Sequence, residues 1–400
     1  MASQIEIFPL SIERETGVLR TIARLRHQAK LVGGNFLEKL LSEQYSRGRG
    51  PVSRLISGFS PEAEAMGIGQ QIVVASSLLK KSTPEFYVNG EIEAEYLKLL
   101  LAGDELTGSG RIFSAQGVSV SFPTSMHQIG NRILKEAMPA PHLMKNPKYY
   151  YGLESMRFRK KQRMDEGVLL STPWHHNFYH WMIEILPRLI SYDRCPNLQS
   201  VPLIVPKSAP RFVAESLRLS GYESEVKFLK NGVYKFNTLH FLSTLAPTME
   251  VSSDAVAWLN AKFIRRPSTL VAPRKIYISR RDAKIRFVSN EKKLLDVLSE
   301  FGFRIVTMSD FTLAEQIDLF RSAECIIGPH GAAFANLAFT NPGATFIEFF
   351  ARGHYNPCFN RISAIRSLRY GFLIGDPTQF GGFSIDPDEL RAVLAQAVDV

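Results

Sequence analysis

Cysteine is scarce. The three present, Cys195, Cys325 and Cys358, form neither a metal-ligand spacing nor an even-numbered framework, so a structural disulfide or zinc site is not expected. No Asn-x-Ser/Thr acceptor occurs, and nothing in the sequence asks for a glycosylating lumen. No apolar run approaches the roughly 20 residues of a membrane span, and Met1 to Leu10 carries Glu6 and Pro9 where a signal peptide needs an unbroken apolar stretch. The expected location is therefore cytoplasmic. Zinc-finger, RNP, KH and helix-turn-helix signatures are missing, which disfavours nucleic acid as a partner. No Gly-x-Gly-x-x-Gly lies between a strand and a helix, Gly67-Ile68-Gly69 belonging to neither, and no P-loop occurs. An NAD-dependent reductase and a P-loop ATPase are disfavoured with them.

What is present is an ordinary globular balance, with 45% hydrophobic and 22% charged residues in 400, long enough for two or three domains. The net charge of +10 attracts anionic partners such as phospholipid head groups or a phosphorylated small substrate. Residues 11–44 read as a basic amphipathic helix broken at Gly33-Gly34, with Ile12, Leu19, Ile22 and Leu25 apolar and Arg14, Arg20, Arg24 and Lys30 between them. It is either packed on its own protein or offers a peripheral contact with the inner face of a membrane. Residues 48–130 mix short strand-like pieces with loops and carry no assignable motif.

Regular alternation begins after the basic run Arg157 to Arg163. Strands are expected at 167–171, 202–206, 226–229 and 238–243, with helices at 176–191 and 210–220, which makes a parallel sheet covered by helices. A helix at 253–265 leads into a candidate linker. A second block has strands at 275–279, 304–307, 324–327 and 344–348 and helices at 290–301, 312–322 and 331–339, which is strand and helix in strict turn. The expected organisation is an N-terminal extension (1–130), a first Rossmann-like domain (131–265), a second Rossmann-like domain (266–386) and a closing helix (387–400). Because ligands of open parallel sheets bind beyond the carboxyl ends of the strands, Arg280-Arg281, Ser309-Asp310, Gly328 to Gly331 and Glu348 are expected along one sheet edge.

Gly328-Pro329-His330-Gly331-Ala332-Ala333 follows an apolar strand and opens a helix, so the amides of Gly331, Ala332 and Ala333 point outward at the positive end of the helix dipole. The bland alternative is a tight turn with a satisfied histidine. Arg280 and Arg281, with Lys284 and Arg286 in the following loop, favour a phosphate seat, because guanidinium groups bind phosphate bidentately. Glu348 ends a buried strand and suits two ribose hydroxyls; the alternative is an ion pair with Arg352. In the first block, His176, His180 and Glu184 are spaced four apart and are expected on one helical face. That face fits a metal site, a structural face, or a polar face overlooking a cleft and supplying a general base.

Asn177-Phe178-Tyr179-His180-Trp181 with Glu184 to Leu189, then Tyr277 to Arg281, Asn290-Glu291 and Ile327 to Ala332 through Phe350, resemble glycosyltransferase family 61. The resemblance covers about residues 150–390 and leaves the first 130 or so outside. It implies a GT-B-like architecture, two Rossmann-like domains facing each other across a cleft, and inverting transfer of a sugar from a nucleotide sugar, usually UDP-linked. It implies no cofactor and no obligatory metal. It places Arg280, His330 and Gly331 on the nucleotide diphosphate, joined by Arg281, Ala332 and Glu348 at the same edge, and His180 with its neighbours in the acceptor wall.

The reaction expected on these grounds is attack by a hydroxyl of a glycan or lipid-linked glycan acceptor, with His180 or Glu184 as base, in bacterial capsule or surface polysaccharide assembly. No DxD-type motif is placed for a metal, so Arg280, His330 and the helix amides are expected to meet the charge of the leaving diphosphate. Two rivals stand: a non-catalytic binder of nucleotide sugars or polyanionic glycans, and a metal-dependent hydrolase using His176, His180 and Glu184.

Overall fold

The computed structural model describes residues 54–56, 60–77, 79–81, 83–88, 96–98, 100, 107–138, 156, 159–264 and 272–397. The basic helix expected over 11–44 and most of the linker near 265–273 lie outside the described residues.

Among the described residues, nine strands make up the first half: β1 (Arg54–Ile56), β2 (Gly69–Val74), β3 (Gly110–Phe122), β4 (Met126–Gln128), β5 (Arg132–Leu134), β6 (Lys161–Leu169), β7 (Leu203–Pro206), β8 (Val226–Leu229) and β9 (Gly232–Leu242). β1 and β5 pair by themselves; the other seven form one sheet in the order β2-β3-β9-β6-β7-β8, with β4 also on β3. The β9-β6-β7-β8 portion is parallel, as the strand-helix alternation requires. The expectation of a wholly parallel sheet is corrected by β2, β3 and β4, which are antiparallel. The stretch that carried no motif supplies them, because β3 and β9 are long enough to pair continuously from Ile112↔Leu242 to Phe122↔Gly232. A polar triplet crosses three of these strands: Ser114 Oγ meets His240 Nδ1 at 2.8 Å, and His240 Nε2 meets Glu166 Oε1 at 2.9 Å.

The second sheet comprises β10 (Lys275–Ile278), β11 (Arg304–Val306), β12 (Cys325–Pro329), β13 (Thr345–Ala351), β14 (Arg369–Pro377) and β15 (Phe383–Ser384), ordered β11-β10-β12-β13-β14-β15. It is parallel through β14 and antiparallel at β15. β12 is buried throughout and β13 nearly so, as central strands covered on both faces must be. β14 and the helix preceding it were not anticipated. The chain leaves β10 for β11 on one side and then enters β12 on the other, so strand order reverses between β10 and β12. Crevices for ligands open at such a reversal.

The helices include α1 (Pro61–Ala65), α2 (Leu189–Asp193), α3 (Arg211–Leu219), α4 (Ser253–Phe263), α5 (Glu291–Glu300), α6 (Leu313–Ser322), α7 (Cys358–Arg366) and α8 (Pro387–Ala397). α6 starts at a capping box: Thr312 Oγ1 accepts from the Glu315 amide at 3.3 Å and the Glu315 carboxylate accepts from the Thr312 amide at 2.8 Å. One apolar core runs from Val168, Leu203 and Leu242 through Trp181, Leu189 and Leu259 to Ile276, Ile326 and Phe346, so the two sheets share it. Polar ties span it, from Asn260 Nδ2 to the Ala338 carbonyl at 3.1 Å and from the Leu313 amide to Glu215 Oε2 at 3.2 Å. No helix among the described residues is long and apolar enough to cross a membrane.

Two buried histidines make stability pH-dependent. His127 accepts a hydrogen bond from the Leu134 amide at Nε2 (3.0 Å) and His175 bonds the Thr172 carbonyl through Nδ1 (2.7 Å). Burial is the first cause that lowers each to about 4. Both are neutral in the fold and protonate in the unfolded chain below about 6.5. Their stabilisation is thus complete above pH 6.5 and is lost as pH falls toward 4, by on the order of 3 kcal/mol each. Denaturant titrations between pH 7.5 and 4.5 should show this decline, and His127→Gln, which keeps an acceptor for Leu134, should reduce its slope. An unchanged slope would remove His127 as a cause.

Candidate functional site

The segment 176–191 is not the single helix expected. Asn177 Oδ1 accepts the Tyr179 amide at 2.9 Å, and a wide π-type helix runs only from His180 to Ile185. Pro187 follows, and its missing N–H removes the bond that an α-helix would give the Ile183 carbonyl, so the backbone widens there and tightens to a 3₁₀ turn at Leu186–Arg188. His176 stays in the turn before the helix, exposed, and does not share a helical face with the other two. The metal-ligand face of His176, His180 and Glu184 is therefore not assembled. No group of three or more His, Cys, Asp or Glu that could hold a metal ion occurs among the described residues.

His180 and Glu184 do meet. His180 Nδ1 lies 2.8 Å from Glu184 Oε2, and Glu184 Oε1 accepts the Met249 amide at 3.1 Å. Glu184 is buried with both oxygens engaged. Beneath it Arg188, also buried, donates from Nε to the Glu184 carbonyl (2.9 Å) and from Nη1 to the Leu242 carbonyl (3.1 Å); burial lowers its pKa to about 10, against the pull of Glu184. Trp174 lies against the His180 ring at 4.2 Å. A carboxylate can only accept, so His180 carries its proton on Nδ1 and turns Nε2 away from Glu184.

A second histidine-carboxylate pair stands in the other half. His330 Nδ1 is 2.5 Å from Glu348 Oε1, and Glu348 Oε2 accepts the Tyr370 hydroxyl at 3.2 Å, itself 2.8 Å from the Tyr96 hydroxyl. Glu348 is 0% exposed, and burial raises its pKa despite His330, Tyr370 and the Arg286 charge. The expectation that Glu348 would hold ribose hydroxyls is corrected: the carboxylate lies behind His330 and cannot reach solvent. Its other expected partner, Arg352, pairs instead with Asp376 at 2.5 Å.

The reversal between β10 and β12 brings Arg280 to the turn after His330. A Cβ added to Gly331 would collide with Arg280 Nη1, so the guanidinium lies directly on the Gly331 backbone. Gly328, at φ +151, lets β12 approach β10: a Cβ there would stand 2.7 Å from the Ile278 carbonyl oxygen. Arg280 Nη2 donates to the Ile285 carbonyl at 3.1 Å and Nε has no partner; burial, and next the Arg286 charge, lower its pKa to about 10. The strand end is set by Glu291, whose carboxylate takes the Tyr277 hydroxyl at 2.8 Å and the Ser279 hydroxyl at 3.0 Å. Arg281 points outward to Asp310 at 3.5 Å and does not join the cluster. The helix from Ala332 to Phe339 is 3₁₀ rather than α, and Ala332 and Ala333, partly buried, open it. Asp386, in Asp386-Pro387-Asp388, accepts the Asp388 amide at 2.8 Å and so caps α8.

Residues that no sequence signal marked join the two pairs. The Phe359 ring at the start of α7 lies 5.0 Å from the His330 ring and 5.5 Å from the Tyr179 ring, which is 5.4 Å from His180. Cys358, fully buried, feels both Glu348 and Glu184, and burial drives its thiol pKa up, so it stays protonated. The site thus presents two imidazoles, each backed by a carboxylate, beside a partly buried arginine cluster. Imidazole nitrogen NMR should find both histidines with the proton on Nδ1. Glu348→Gln, whose amide can donate to Nδ1, should move the His330 proton to Nε2; retention on Nδ1 would contradict the pairing.

The family model described as Glycosyltransferase 61 matches residues 178–347, a span that contains His180, Glu184, Arg280, Glu291, His330 and Gly331 and ends one residue before Glu348. No curated protein matches the chain. Over residues 178–347 the chain is similar to glycosyltransferase family 61.

Proposed function

We propose that the protein is an inverting glycosyltransferase of GT-B type that moves a sugar from a nucleotide sugar, UDP-linked, to a hydroxyl of a glycan or lipid-linked glycan acceptor in bacterial capsule or surface polysaccharide synthesis. One observation carries the reading: the His330 ring and the Tyr179 ring, which adjoins His180, both lie against Phe359, and Arg280 is seated on Gly331 next to His330.

The acceptor hydroxyl attacks the anomeric carbon while the bond from that carbon to the diphosphate oxygen breaks and its electron pair leaves with the diphosphate. The hydroxyl proton passes to His180 Nε2, and Glu184 steadies the imidazolium that forms, as the carboxylate does in a Ser-His-Asp triad. Glu184 itself is a poor base here because both its oxygens are engaged. On the leaving side, Arg280, Arg286 and the amides that open the Ala332–Phe339 helix meet the growing phosphate charge. These groups do the work without a metal ion. The location in this reading is cytoplasmic.

Arg280→Ala removes a charge-assisted contact and should weaken UDP binding by about one to two orders of magnitude in calorimetric titration. Gly331→Ala should act in the same direction with little loss of thermal stability, because the obstructing atom is the end of a flexible side chain. His180→Ala should leave UDP affinity nearly intact and lower kcat by on the order of 10² to 10⁴. If Arg280→Ala binds UDP like the parent, the seat is misassigned.

Transfer should also survive EDTA. Loss of activity with EDTA and its recovery with Mn²⁺ or Mg²⁺ would overturn the metal-free mechanism.

A further inference from the structure

We infer that Phe380 and Ile285 form a stacking platform for the nucleobase of the nucleoside diphosphate whose phosphates occupy the Arg280 seat, an assignment that rests on the reading of that seat given above. Phe380 is 88% exposed and Ile285 56%, in a protein whose other large apolar side chains are mostly buried. Phe380 also holds φ +62. A bulky residue seldom adopts that conformation unless its surroundings impose it, and such outliers gather at binding sites. No aromatic ring among the described residues packs on it. The folded chain therefore holds an aromatic face toward solvent at some cost.

Its position gives the face a use. The segment Gln379–Gly381 follows β14, and the loop after β10 runs beside it; both extend from the carboxyl edge of the second sheet. The Arg286 amide donates to the Gly381 carbonyl at 2.6 Å, and the Phe383 amide donates to the Phe287 carbonyl at 3.0 Å, so the two segments are stitched together. A Cβ on Gly381 would lie 3.2 Å from Ile285 Cγ2, which places the Ile285 side chain against the residue after Phe380. The Ile285 carbonyl in turn accepts from Arg280 Nη2, and Arg280 rests on Gly331. A short contact path thus leads from the proposed phosphate seat, through Arg280 and Ile285, to Gly381, the residue after Phe380.

Charge follows the same path. Arg280 and Arg286 are close enough to repel each other, and Lys284 is exposed in the same loop. Cations at one end and an apolar, partly aromatic surface at the other match the two ends of a nucleoside diphosphate. The Phe380 contact is to the base face, and it tolerates pyrimidines and purines alike.

The test compares UDP with inorganic pyrophosphate by calorimetric titration of the full chain. Phe380→Ala should weaken UDP about tenfold and leave pyrophosphate unchanged, while Phe380→Trp keeps UDP affinity. Equal weakening of UDP and pyrophosphate would show that Phe380 only shapes the arginine loop and would overturn the platform. UDP affinity unchanged in Phe380→Ala but lost in Arg280→Ala would overturn the platform and spare the seat. A parent protein that binds neither ligand would remove both. Phe380→Ala that binds UDP normally but loses binding to vesicles of phosphatidylglycerol and phosphatidylcholine would assign the face to a lipid surface instead.

Discussion

A carboxylate taken wholly out of water has to be answered where it stands, and Glu348 on β13 is such a group. Removing an ion from water costs several kcal/mol, and only close hydrogen bonds and opposite charge offset it. His330 at 2.5 Å and the Tyr370 hydroxyl at 3.2 Å supply the bonds, with the Arg286 charge nearby. Burial together with Glu348 drives the pKa values of Tyr96 and Tyr370 well up, so both stay neutral and able to donate. The price of this arrangement is a fixed His330: its ring is bonded at Nδ1 and held against Phe350 and Phe359. The turn that follows β12 is therefore built before any ligand arrives, which is what an electrostatic site needs if it is not to spend energy reorganising.

The other half reaches the same chemistry by another route. Glu184 sits one turn from His180 on its own helix, and the tie depends on the wide π-type turn that Pro187 imposes. Arg188 beneath it bonds the Glu184 carbonyl and the end of β9, joining the irregular helix to the sheet. One histidine is therefore oriented by the adjacent strand and the other by a residue one turn along its own helix. A perturbation of β13 should reach the first and spare the second.

Much of the second sheet was legible, because each of its first four strands is a short apolar run bounded by a helix with its own period. The rule that ligands gather beyond strand ends then pointed to Arg280 and His330, and the reversal of strand order at β10 and β12 is why they meet. Arg281, the next residue, is on the opposite side of the chain and pairs with Asp310, a distinction that residue type alone could not make. Glu348 was placed at the right strand end, but its direction depends on a partner 18 residues earlier across the sheet. The β3–β9 pairing joins residues more than a hundred positions apart, and no local pattern encodes it. The helical spacing of His176, His180 and Glu184 assumed a helix that includes residue 176, whereas Asn177 caps a helix that starts after it. Phe359 carried no signal because its importance lies only in what it stands between.

The arginines at the carboxyl edge of the second sheet show how the fold separates surface charge from site charge. Arg281 and Arg352 lie outside and are paired with Asp310 and Asp376, where water and acid neutralise them at little energetic consequence. Arg280 lies inside, half-buried, with a backbone carbonyl as its hydrogen-bond acceptor and its Nε unpaired. A guanidinium in that position is poorly compensated, and burial with the nearby Arg286 works against its charge. An anion docking on Gly331 would meet that charge directly, so in the proposed seat part of that instability would become affinity for a phosphate. Pairing Arg280 with an acid, as Arg281 is paired, would stabilise the fold and weaken the seat together.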